Sequence, residues 1–171
     1  MRLRIFKLVA VFIAGQFVMC SATTKYKLDY DQMIHLDAEA LAEAGIGEAY
    51  QELLPKLRKF AKDPAEVEEL EDPDRPSYSV RSQGVEYAIY SPELPEEEGQ
   101  GWGRATYAFF RIVNQQLENS SIRFYAINGG NDLGGMFLTE SESEAARLSL
   151  PKKTDWPYLP TNEAPWFGQY H

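Results

Sequence analysis

The chain of 171 residues has one cysteine, Cys20, and two histidines, His35 and His171. A lone cysteine excludes an intramolecular disulfide and the multi-cysteine zinc sites. Neither histidine stands in a metal or triad spacing, and there is no Gly-x-Ser-x-Gly elbow, so the usual signatures of a serine hydrolase are missing. Positive charge is scarce too: 17 Lys and Arg face 26 Asp and Glu, a formal charge of −9. Phosphate backbones are held by clustered cations, so nucleic acid is not expected as a partner. There is no internal repeat and no heptad pattern. The glycine-rich run Asn128–Gly135 lacks the Lys-Ser/Thr pair of a phosphate loop, and the spacing of Asn128, Asn131 and Asp132 does not fit a hand-type calcium loop. No cofactor and no metal are expected, and no residue is assigned a catalytic role.

What is present suffices for one folded domain: 44% of residues are hydrophobic and 13% aromatic,. The first 22 residues stand apart. Arg2, Arg4 and Lys7 precede an apolar run from Leu8 to Met19, and Cys20-Ser21-Ala22 then offers small residues. That layout predicts a secretory signal, with a run too short for a comfortable membrane span. Cys20 sits at the depth of a lipidation site, but Met19 before it is not the small residue that signal requires,. Cleavage after Ala22 leaves 149 residues without cysteine and takes the formal charge from −9 to −12. The expected location is periplasmic or secreted, with no membrane partner once the signal is gone.

Along the remaining chain, Thr24–Tyr30 alternates and reads as a first strand or an extended N-terminal arm, and Asp37 is a candidate helix cap with Leu36 and Leu41 as its staple,. A short helix is predicted up to Ala44, broken by Gly45-Ile46-Gly47. A second follows from Ile46 to Ala61, kinked or restarted at Pro55,. The acidic, proline-bearing stretch Asp63–Pro76 reads as a loop with one helical turn around Glu66–Leu70. Ser77–Ser82 and Val85–Tyr90 read as a hairpin turning at Gln83-Gly84,. Trp102–Glu118 has the clearest helical stripe: Ala105, Ala108, Phe109, Ile112, Val113 and Leu117,. Ser121–Ile127 and Gly135–Thr139 read as a second hairpin, bulged at Gly134-Gly135. Thr139 with Glu142 forms a capping box for a last helix,. The fold class predicted is α+β: a mainly antiparallel sheet of four to five strands with helices on one face. The expected units are a signal segment 1–22, a domain 23–150 and an irregular Pro/Trp-rich tail 151–171 packed on it.

Gln100-Gly101-Trp102-Gly103-Arg104-Ala105 fits the degenerate Gln-x-x-Gly-x-Ala pattern and is similar to the acyl-coenzyme A loop of N-acetyltransferases,. Glu96, Glu97 and Glu98 lie just upstream and would repel a pyrophosphate,. A tight helix start anchored by Trp102 accounts for the same residues. Paired Glu and Asp leave open a hydrolase that uses two carboxylates. A small-molecule-binding protein would instead need an apolar cavity of several hundred cubic ångströms, roughly.

Two stretches carry a resemblance: Tyr125–Thr139, with its Asn-Gly-Gly-Asn-Asp-Leu-Gly-Gly centre, and Thr154–Pro160 leading to Pro165-Trp166-Phe167-Gly168. They resemble small exported proteins of Gram-negative bacteria, and in size and acidity the chain is similar to the immunity proteins that neutralise bacterial toxins. The resemblance brings no catalytic residue with it. It implies an exported, acidic protein-binding module, an immunity protein or inhibitor of a toxin or hydrolase, whose partner is another and basic protein. The residues expected to meet that partner are Glu96, Glu97 and Glu98 for charge. Trp102, Trp156, Tyr158 and Trp166 are the expected aromatic anchors,.

Overall fold

Helix α3 (Gln100–Gln115) is the element about which the others pack. Its residues Ala105, Ala108, Phe109, Ile112 and Val113 recur at three- and four-residue spacing, and all are buried,. Phe110 is buried as well, which widens the apolar face so that the helix is covered from more than one side. In the computed structural model, which describes residues 26–94 and 99–171, the fold is α+β with six strands in two three-stranded antiparallel sheets. The predicted signal segment 1–22 and Glu96, Glu97 and Glu98 lie outside the described residues.

The first sheet has the order β1-β6-β5, from β1 (Ile34–His35), β5 (Ile122–Ile127) and β6 (Gly134–Thr139). Strand alternation sends Phe124 and Ala126 towards α3, where the Phe124 ring stacks on Phe110 with centroids 4.8 Å apart,. Tyr125, Ile127, Met136 and Leu138 point the other way. They form a second, smaller core with Leu28 and with Ala146 of α4 (Glu140–Ser149). This sheet is therefore covered on both faces, not on one as its sequence suggests. The outer edge of β5 is closed twice. The Asn114 side chain donates to the Phe124 carbonyl and accepts its N–H, both at 2.8 Å. Two residues on, Ala126 exchanges backbone hydrogen bonds with Tyr158 of the tail at 2.8 and 3.0 Å.

The second sheet is a meander, β2 (Glu68–Asp72), β3 (Ser77–Ser82) and β4 (Val85–Tyr90). The β3–β4 hairpin has the predicted limits and turns at Gln83-Gly84, both at positive φ (50° and 77°), as a two-residue turn requires,. Tyr78, Val80 and Ile89 are buried. Arg81 lies on the exposed face between its neighbours, with Glu68 Oε2 at 3.2 Å and Glu86 Oε2 at 2.8 Å. Strand β2 corrects the sequence reading of a helical turn around Glu66–Leu70. Its Glu-Glu-Leu-Glu-Asp run has no alternating pattern and becomes a strand by pairing with β3,.

Before this sheet, Asp37 caps α1 (Ala38–Ala40) by accepting from the N–H groups of Glu39 and Ala40,. The chain then makes a wide turn over Leu41–Gly45, with Ala44 at φ 63°, and restarts as α2 (Ile46–Leu57). The helix runs on past Pro55, so the interruption falls before α2 and not within it. Tyr26–Asp29 belongs to no strand, although Leu28 is buried in the second core. Strands β5 and β6 pair in continuous register through Gly134 and Gly135, without the bulge predicted there. The capping box of Thr139 and Glu142 is formed as predicted. Among the described residues no helix is long and apolar enough to cross a membrane.

Candidate functional site

Helix α3 begins at Gly99, whose φ of 81° is a left-handed conformation that costs glycine little,. Among the described residues no side chain caps this end. The tail lies against the helix one turn further on, at Gly103. A Cβ there would come within 2.1 Å of the Phe167 ring, so only a glycine admits the ring this close. At Gly129, in the β5–β6 connection, a Cβ would meet Gln169 Oε1 at 2.8 Å. The sequence thus clears two places on which the tail rests. Within the tail, Thr161 N–H donates to Phe167 O at 2.9 Å and Phe167 N–H to Glu163 O at 2.8 Å, which folds 161–167 into a closed loop.

The result is a shallow cleft of about 120 Å3 where the start of α3, the Gly129-Gly130 turn and the tail meet. Trp102, Tyr158 and Trp166 all border it, so three of the four predicted aromatic anchors converge. Their environments differ. Trp166 is 58% exposed, its ring 3.7 Å from the His171 imidazole centroid to centroid. Trp102 is half-buried on the first turn of α3. Tyr158 is buried and donates its hydroxyl to Asn128 O at 2.9 Å. Burial holds its phenol above the usual tyrosine range,. Thr106 closes the inner side of the cleft; it is 6% exposed and makes no side-chain hydrogen bond among the described residues.

Trp156 stands elsewhere. Its indole N–H donates to Leu150 O at 3.1 Å, and its ring meets Tyr170 edge-on at 5.3 Å. It fastens the tail behind α4. The acidic stretch 66–74 spans β2 and the turn that follows it. An ion pair between Arg75 and Glu93 ties the β2–β3 turn to the segment that follows β4, and so joins the two acidic stretches. Among the described residues no three of His, Cys, Asp and Glu are grouped as a metal site would need.

Tyr158 borders a second cleft, about 350 Å3, between α4 and the tail. Sequence reading missed it. The available signal is Ser143, a polar residue that shares a helical face with the apolar Ala146 and Leu150,. Ser143 is buried, and its hydroxyl has no hydrogen-bond partner among the described residues. No family model matches the chain, and neither a curated protein nor a solved structure matches it, so the chemistry of these two clefts is read from their own residues.

Proposed function

We propose that the chain is an exported acidic protein-binding module that inhibits a basic partner, in the manner of an immunity protein. The observation that carries this reading is the convergence of Trp102 and the largely exposed Trp166 on one cleft. A tryptophan held on packed backbone, with one face free, loses little rotamer freedom on binding and dominates contact energies. The acidic run Glu93–Glu98 leads directly into Gly99 at the edge of that cleft. Carboxylates beside an aromatic anchor speed the encounter with a cationic surface and select against other partners. Export rests on the basic and apolar N-terminal segment, and the periplasm or the extracellular space is the proposed location,.

The test is a pull-down of partners from the native periplasm, followed by binding kinetics with the captured protein. Trp166→Ala is expected to weaken binding about 30-fold with no loss of stability, the size of a hot-spot truncation. Charge reversal at Glu96, Glu97 and Glu98 should slow association, and added salt should shrink that effect. A partner whose binding ignores both Trp166 and salt overturns the proposal.

A further inference from the structure

The cleft between α4 and the tail has a chemistry of its own. Glu140, Ser143, Glu144 and Arg147 all border it, and their spacing of three, four and seven places them on one face of α4,. Ser143 is 2% exposed. A helical serine ordinarily returns its hydroxyl to the carbonyl four residues earlier. Here the hydroxyl has no partner among the described residues, and an unpartnered buried hydroxyl is one that a ligand would relieve. Glu140 and Glu144 are exposed and make no ion pair or side-chain hydrogen bond among the described residues. Arg147 is engaged: its Nε–H donates to Pro157 O at 2.9 Å, and its guanidinium carbon lies 5.0 Å from the centre of the Tyr170 ring.

We propose that this cleft receives a primary ammonium group on an aliphatic stem, the side chain of a lysine from a partner protein. The three N–H donors of an ammonium match two carboxylates and one hydroxyl acceptor. The stem would lie along Leu159 and the tyrosine rings of the wall,. A guanidinium fits less well, because Arg147 already holds the face of Tyr170. An anion is opposed by two free carboxylates, while the one cation is turned to the tail. The inference rests on the reading of a basic partner only for the source of the lysine. Its test does not need that partner or the cleft of Trp102.

The experiment is an NMR titration of the isotope-labelled protein with Nα-acetyl-lysine methylamide, with Nα-acetyl-norleucine methylamide as the uncharged control. Saturable shifts are expected at the amides of 140–147 and 158–170 with the lysine probe alone. The double variant Glu140→Gln/Glu144→Gln should bind about fivefold more weakly, the upper range for exposed ion pairs. Ser143→Ala removes an unsatisfied group, so it should fold at least as stably and still lose about threefold in affinity. Glu71→Gln/Asp72→Asn, on β2, should bind as the unchanged protein does. Equal shifts with norleucine overturn the proposal. So does a response spread over β2, or full affinity in the α4 variants.

Discussion

The Glu69 carboxylate and the Tyr78 hydroxyl lie 2.6 Å apart, and together they close the amino end of α2. Glu69 Oε1 also accepts the Gly47 N–H at 2.9 Å, while the Tyr78 hydroxyl oxygen accepts the Ile46 N–H at 3.3 Å. Gly45, which precedes the helix, offers no side chain to do this. The cap is therefore supplied from the second sheet, and one polar cluster joins β2, β3 and α2. Glu69→Ala should cost about 1–2 kcal/mol, the range of a lost cap with a charged hydrogen bond. Glu69→Gln keeps an acceptor and should cost less. Urea unfolding of the two variants measures the difference.

Gly47 makes a sharper test. In an ordinary helix, Gly→Ala gains about 1 kcal/mol. Here a Cβ would stand 2.3 Å from Glu69 Oε2 and displace the carboxylate. Gly47→Ala should be neutral or destabilising alone, yet stabilising by about 1 kcal/mol in a Glu69→Ala background. A double-mutant cycle read by denaturant midpoints gives the sign directly.

Burial, then the hydrogen bond and charge of Glu69, hold the Tyr78 phenol far above its usual range,. A raised folded pKa stabilises below the unfolded value of 10.0, and that stability is lost as pH climbs beyond it,. Tyr78→Phe should cost about 1–2 kcal/mol at neutral pH, because Ile46 and Glu69 each lose a partner. Above pH 10 its stability should fall less steeply than that of the unchanged protein, by up to about 1.4 kcal/mol per pH unit. Stability curves from pH 7 to 11.5 on both proteins check the slope.

Asn114 serves Phe124 as both donor and acceptor, as a neighbouring strand would. Asn114→Ala should cost about 2–3 kcal/mol, since an N–H and a carbonyl on β5 are left without partners. Asn114→Asp has nearly the same shape but faces the carbonyl with oxygen. It should be no more stable than the alanine variant at pH 7, and thermal unfolding of the two decides.

Elements built from their own residues were legible in the sequence: the Asp37 cap, the Gln83-Gly84 hairpin, the α3 stripe and the Thr139 box. Each depends on neighbours a few positions away. Strand β2 was not legible, because it forms by pairing with β3 and its Glu69 is held by Gly47 and Tyr78, which are 22 and 9 residues distant. The division into two sheets was hidden for a similar reason: strand partners are set by distant residues, as His35 pairs with Gly134. Of the four aromatic residues that composition singled out, three border one cleft, and their exposure could not be read from the sequence. Trp156 and Tyr158 are held by hydrogen bonds to Leu150 and Asn128, while Trp166 is left largely free. The α4 cleft could be found only once the tail was seen to form its wall.

The tail's backbone bond to Ala126 has a consequence for the order of events during synthesis. Strand β1 leaves the ribosome roughly 100 residues before its partner β6, some 5–20 s at ordinary elongation rates,. The outer edge of β5 at Ala126 must then wait for Tyr158. The first sheet thus has neither border finished until the chain is almost fully made, and what emerges earlier lacks a complete core. For nearly the whole of its production the chain is without its finished first sheet.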